Sequence, residues 1–248
     1  MARQFAHYGL DAPGVVRGLL IGGATGVIAG YFVLRSALGA QIEWVANLAQ
    51  IAFNGGVGCL IGAALMLASS YYGKFRACNR LLDGLSLRGD ETVLDVGCGH
   101  GLLLIGAAKR LPRGRAMGID LWSQVDQSNN SREATLRNAE IEGVAERVEI
   151  RDGDMRKLPF ADATFDAAVA SLAIHNVPSH EGRRETIREI VRTLKPGGQV
   201  ALMDIKSVGL YADELRKAGM SGVRVSWPSL WIWPPVRTVT AKKSAEIT

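Results

Sequence analysis

The segment Val93-Leu94-Asp95-Val96-Gly97-Cys98-Gly99-His100-Gly101 constrains this chain more than any other part of it. An apolar run containing a carboxylate enters a turn with glycine at every second position, and Leu102 follows at once. Glycine permits dihedrals that a Cβ forbids and lets the backbone approach a ligand closely. A helix opening after Gly101 presents free N–H groups at its start. The segment therefore predicts a strand, a tight turn and a helix start arranged around a small molecule. The spacing is tighter than a dinucleotide turn, whose G-x-G-x-x-G pattern would need glycine where Leu102 stands.

Periodicity extends the prediction. Short apolar runs alternate with helical patterns at residues 102–110, 131–142, 183–194 and 211–218. Such alternation predicts a parallel sheet covered on both faces, with ligands at the carboxyl ends of the strands. Residues 222–227 and 236–241 are strand-like runs joined by a loop, which predicts an antiparallel hairpin at the sheet's end.

Further motifs follow in order. Ala116-Met117-Gly118-Ile119-Asp120 reads as a second strand ending in an acid, and residues 148–155 as a third strand with its exit loop. Leu158-Pro159-Phe160 precedes a fourth strand over 165–171, and Leu194-Lys195-Pro196-Gly197-Gly198 reads as a turn before a fifth over 199–205. With the D-x-G-x-G-x-G turn, this series over residues 76–248 resembles the class I S-adenosylmethionine-dependent methyltransferases, in their type 11, quinone-methyltransferase-like branch.

The resemblance implies an α/β, Rossmann-like, seven-stranded domain, mostly parallel with an antiparallel C-terminal hairpin. It implies S-adenosylmethionine as cofactor and S-adenosylhomocysteine as product. Asp95, Gly97, Cys98, Gly99 and Gly101 would serve the methionine part. Asp120 would accept hydrogen bonds from the two ribose hydroxyls, whose vicinal donors suit one carboxylate. Asp154 and Met155 would stand at the adenine, and Leu121 and Ser171 complete the set. A sulfonium is already an activated methyl donor, so the protein's main tasks are alignment and exclusion of water. A base is needed only where the nucleophile must lose a proton. His175, after strand four, is the candidate; the other reading is a histidine that bonds the backbone and shapes its loop.

The first third of the chain is different. Residues 18–34 and 44–72 carry no charge, and a membrane-spanning helix needs about 17–25 predominantly apolar residues. The expectation is a membrane hairpin over residues 1–75, with spans at about 15–35 and 45–72, ahead of a catalytic domain over 76–248. Gly14, Gly18, Gly22, Gly26 and Gly30 repeat every four residues, which predicts that they lie along one helix face, and Gly58 and Gly62 repeat the spacing. In a bilayer small residues permit close helix packing, here either within the hairpin or between two copies. A buried helical pair in a water-soluble protein, and a signal peptide cleaved near the small residues 36–40, are the other readings. Arg3, Arg17, Lys74, Arg76 and Arg80 flank the outer ends, so the positive-inside rule places both termini and the catalytic domain in the cytoplasm.

The net charge of +5 and pI near 9.3 come from dispersed basic residues. Attraction to anionic lipid explains this at least as well as nucleic acid, which calls for a basic run interleaved with aromatics. Cys59, Cys78 and Cys98 form no disulfide framework, and His7, His100, His175 and His180 have no metal-ligand spacing. The expectation is an integral-membrane methyltransferase acting on a small lipophilic acceptor. The alternative is a non-catalytic or regulatory membrane protein that uses the fold to bind cofactor or a partner.

The nine residues of the tail, Trp227 to Pro235, include Trp227, Trp231 and Trp233. They read either as an interfacial anchor or pocket lip, or as a plain hairpin connection.

Overall fold

The computed structural model describes residues 5–123 and 130–245. The chain forms two compact units, one of Leu10–Tyr72 and one that joins the residues before Leu10 to those from Gly73 onward.

The smaller unit is helical: α1 (Pro13–Arg35), the short α2 (Ala37–Gln41) and α3 (Glu43–Ala68), after which a π turn, Ser69–Gly73, begins. Pro13 sits in the first turn of α1, where its missing N–H costs nothing. Ser36 caps α2 by accepting from the Gly39 N–H at 3.2 Å. Both long helices are long and apolar enough to cross a membrane, and only 17% of each apolar window is buried. Ile21, Phe32, Leu48, Ile51 and Ile61 are among their exposed side chains.

The α1 and α3 backbones meet at glycine. A Cβ on Gly26 would stand 2.8 Å from the Ala52 carbonyl oxygen, one on Gly30 2.7 Å from that of Ala49, and one on Gly56 2.7 Å from that of Gly23. Gly14, Gly18, Gly22 and Gly58 face open space, and Gly62 has ordinary contact only. This corrects the single glycine face expected from the four-residue repeat. At 3.6 residues per turn, steps of four drift by about 40° each, so the series winds away from its partner. The stripe in contact is Gly23, Gly26 and Gly30, spaced three and four.

The larger unit holds a seven-stranded sheet in the order β3-β2-β1-β4-β5-β7-β6. Its strands are β1 (Thr92–Val96), β2 (Arg115–Asp120), β3 (Val148–Asp152), β4 (Phe165–Ser171), β5 (Leu194–Asp204), β6 (Met220–Val225) and β7 (Arg237–Lys243). Neighbours from β3 to β5 are parallel, whereas β7 runs antiparallel to both β5 and β6. Among the described residues, the α-helices of this unit are α4 (Lys74–Asp83), α5 (Leu102–Lys109), α6 (Arg132–Ile141), α7 (His180–Thr193) and α8 (Val208–Lys217). Val93, Leu94 and Val96 of the central β1 are fully buried, each such side chain stabilising the sheet by about 1.5–3 kcal/mol.

Residues 195–198, expected as a turn before the fifth strand, lie inside β5. Phe165 pairs with Leu194 and Ala167 with Gln199, so Lys195 to Gly198 bulge opposite Asp166 alone. Gly197 supplies the positive φ of 78°, and the Lys195 ammonium spans the bulge to Asp166 at 2.8 Å.

His7, Tyr8 and Gly9 pack within this unit. The His7 N–H donates to Asn138 Oδ1 at 2.9 Å, and Asn138 Nδ2 donates back to the His7 carbonyl at 3.0 Å. Buried Lys74 donates to the carbonyls of Tyr8 and Gly9 at 2.9 and 2.7 Å, which satisfies its charge away from water.

Candidate cofactor and acceptor site

The glycine turn lies at the carboxyl end of β1. Gly97, Gly99 and Gly101 all have positive φ, at 75°, 49° and 84°. The Gly97 and Cys98 N–H groups donate to the Ile119 carbonyl at 2.8 and 3.2 Å, tying the turn to β2. A Cβ on Gly97 would overlap that of Ala173 and stand 3.3 Å from Met155 Cε; one on Gly101 would meet Thr135 Cγ2 at 2.7 Å. The cradle exists only with glycine there. Cys98 is buried under it, and burial beside Asp95 and Asp120 pushes its thiol well up. It stays protonated and is no nucleophile.

Two carboxylates flank the turn. Asp95 is buried in β1, and its Oδ2 has no hydrogen-bond partner among the described residues. Burial, with the Asp120 charge adding, pushes the Asp95 carboxyl up to about 8. Asp120 ends β2; its Oδ2 accepts from the Gly99 N–H at 2.8 Å and its Oδ1 from the Trp122 N–H at 2.7 Å. The carboxylate is thereby fixed beside the glycines.

Part of this site was not found from the sequence. Thr135 on α6 donates to the Gly99 carbonyl at 2.6 Å, Asn138 donates to the His100 carbonyl at 3.0 Å, and Asn130 Nδ2 lies 3.4 Å from Asp120 Oδ1. The signal was Thr135 and Asn138 on the inward side of α6 and Asn130 just before it, polar residues recognisable only once their burial is known.

The remaining expected residues are placed around the strand ends. Met155, half-buried, reaches the Gly97 side of the turn. Asp154 is engaged by its near neighbour Arg156 through Nε at 2.9 and 3.0 Å, and that guanidinium holds its carboxyl below the usual range. Leu121, just past β2, is exposed. Ser171 is the last residue of β4, opposite Met203 of β5.

His175 lies in the loop after β4. Its Nδ1 stands 2.6 Å from Asp204 Oδ1, in close contact but outside hydrogen-bond geometry. Asp204, buried at the end of β5, accepts from the His175 N–H and the Tyr211 hydroxyl at 3.0 Å each and from the Ile205 N–H at 2.8 Å. Burial and the Asp204 charge push the Tyr211 phenol far up, so it remains a donor. Buried Arg183 donates to the His175 and Val177 carbonyls at 3.0 and 2.9 Å, pinning the loop. Asp204, Tyr211 and Arg183 come from three separate elements and carry no shared sequence pattern.

Strand order and glycine turn are those of the Rossmann-like fold of class I methyltransferases. Residues 94–202 match the methyltransferase domain family. The chain is 29% identical over 123 residues to a demethylmenaquinone methyltransferase of Lactobacillus johnsonii, covering 48% of this chain and 46% of that one. It is 34% identical over 157 residues to a 27-O-demethylrifamycin SV methyltransferase of Amycolatopsis mediterranei, covering 60% and 54%. The chain thus spans about half the length of these curated relatives. The fold is shared with a geranyl diphosphate C-methyltransferase of Streptomyces coelicolor (TM-score 0.56, 17% identity, 68% of this chain and 79% of that one). It is also shared with the [4+2]-cyclase SpnF (TM-score 0.57, 21% identity, 69% and 81%).

Proposed function

We propose that this chain is a membrane-anchored methyltransferase that moves a methyl group from S-adenosylmethionine to a small lipophilic acceptor. The observation that carries the reading is the pairing of two features in one chain. One is a glycine cradle at the strand ends, with Asp120 fixed beside it and Asp95 buried under it. The other is a helical hairpin whose apolar windows are only 17% buried. Exposed apolar surface on that scale is costly in water and natural in lipid, and it argues against the hairpin as the core of a water-soluble protein. The flanking basic residues favour both termini and the catalytic domain in the cytoplasm.

The residues fit the cofactor: Gly97, Cys98, Gly99 and Gly101 form a turn that carries no bulky side chain, and Asp95 offers an unpartnered carboxyl oxygen. Asp120 would hold the ribose, while Leu121, Met155 and Ser171 would line the adenine and methyl ends. Asp154 would serve only after loosening its bond to Arg156. When bound, S-adenosylmethionine supplies an already electrophilic methyl group. The chain's own work is to align the acceptor, exclude water and, for an acidic acceptor, take its proton. We assign that last task to His175. Asp204 Oδ1 stands 2.6 Å from its Nδ1, and Nε2 would be the atom that receives the proton.

The relatives support the acceptor class by their names, which refer to a menaquinone precursor, a rifamycin and geranyl diphosphate. The same fold in a cyclase means that methyl transfer has to be measured directly. The test is transfer of label from methyl-labelled S-adenosylmethionine by the detergent-purified chain, with Asp120→Asn as the control for cofactor binding.

A further inference from the structure

The loop between β6 and β7 is a built surface. The Ser229 N–H donates to the Val236 carbonyl at 2.7 Å and the Val236 N–H returns the bond at 3.2 Å, closing the loop's neck. Ile232 plugs into the core at 3% exposure, whereas Trp227, Leu230, Trp231 and Trp233 on either side are 90, 74, 41 and 39% exposed. Large apolar side chains held outward by an inward peg mark an interaction surface rather than a frayed connection.

Its location is fixed by a backbone contact. A Cβ on Gly73 would run into the Trp231 carbonyl, so the two backbones touch. Gly73 ends the π turn of five residues that follows α3, which places it at most about 7.5 Å along the chain from the end of the apolar helix at 1.5 Å per residue. If that helix spans a bilayer, Trp231 shares the depth of the headgroup layer.

The charge on this surface is basic. Arg76 stacks on the Trp231 ring at 4.7 Å, and Arg76, Asn79, Arg80, Asp83 and Trp231 line one groove. Asp83 is taken by Arg110. Arg76 and Arg80, one helical turn apart on α4, have no carboxylate partner among the described residues.

We propose that the exposed face of α4 and the Trp227–Trp233 loop form a membrane-surface platform that takes an anionic lipid headgroup between Arg76 and Arg80. The tryptophans supply the interfacial anchor, since indole pairs an apolar body with a polar N–H. The arginines supply donors that match a phosphate. This rests on the membrane-anchored reading, and it holds the catalytic domain against the bilayer from which a lipophilic acceptor would come.

The test uses the full chain reconstituted in phosphatidylcholine vesicles, with and without phosphatidylglycerol. Single-tryptophan variants retain Trp44, Trp227 or Trp231, and lipids brominated near the top of the acyl chain act as quenchers. Trp227→Ser and Trp231→Ser in the otherwise unchanged chain give the same answer by difference. The expected result is quenching of all three, with the Trp227 and Trp231 signals deepened by phosphatidylglycerol and that gain lost in Arg76→Gln/Arg80→Gln. Quenching of Trp44 alone overturns the platform and leaves the membrane anchor standing. Quenching of none overturns both. A phosphatidylglycerol effect that survives the double substitution, or is abolished by inorganic phosphate at constant ionic strength, overturns the headgroup site.

Discussion

The Asp204 carboxylate at the end of β5 faces the His175 imidazole, with Oδ1 and Nδ1 2.6 Å apart. The same carboxylate binds the His175 backbone N–H, so ring and loop are held by one group. If His175 takes the acceptor's proton, His175→Ala lowers kcat about 10²–10⁴-fold and leaves S-adenosylmethionine affinity unchanged. Steady-state kinetics beside a cofactor titration checks this. Full activity across neutral pH would reduce the histidine to a loop-shaping residue.

Asp120 is fixed by the Gly99 and Trp122 N–H groups. Its substitution by Asn keeps the side-chain shape but replaces one acceptor oxygen and removes the charge. A hydrogen bond to a charged group contributes about 1.5–3 kcal/mol, so Asp120→Asn should weaken cofactor binding roughly 10- to 100-fold. Isothermal titration measures it, and an unchanged Kd would remove Asp120 from the ribose site.

Gly97 and Gly143 both have positive φ, at 75° and 68°, but only Gly97 has neighbours that a Cβ would strike. Gly143→Ala should cost about 1–2 kcal/mol, the left-handed backbone term alone. Gly97→Ala should cost more and abolish cofactor binding as well. Thermal unfolding of both variants separates backbone strain from steric overlap.

The buried Asp95 carboxyl, pushed up to about 8, makes stability depend on pH. An unfolded aspartate titrates near 3.9. The folded state therefore binds the proton more tightly than the unfolded state between these values. Its contribution is complete below about pH 4 and is lost as pH rises through about 8. Asp95→Asn should flatten this decline and melt higher than the parent at pH 9. Tm against pH for both proteins tests it; parallel curves would mean that Asp95 is ionised in the folded state.

Gly26 and Gly30 lie where α1 meets α3, whereas Gly18 and Gly22 face open space. Gly26→Leu and Gly30→Leu should disrupt the hairpin and lower its melting temperature in detergent, while Gly18→Leu and Gly22→Leu should not. Equal effects at all four positions would contradict the observed packing.

What the sequence revealed was local. The apolar run of β1, the alternating glycines after it and the acid ending β2 each lie within a few consecutive residues, and backbone sterics dictate their form. What it hid was assembled across the chain. Thr135 and Asn138 became site residues only because α6 turns them onto the glycine turn, and Asp204 only because β5 ends beside the His175 loop. The glycine stripe was misread because a repeat of four resembles a helix face over two turns and departs from it over four. Residues 195–198 look like a turn in isolation, yet β4 keeps pairing with β5 on both sides of them.

The most direct test incubates the detergent-purified chain with methyl-labelled S-adenosylmethionine and a lysate separated into organic extract, aqueous metabolites and protein. The account predicts label in the organic extract, lost in Asp120→Asn. Label confined to protein or aqueous metabolites would contradict the lipophilic acceptor, and no label anywhere, with cofactor binding intact, would contradict methyl transfer itself.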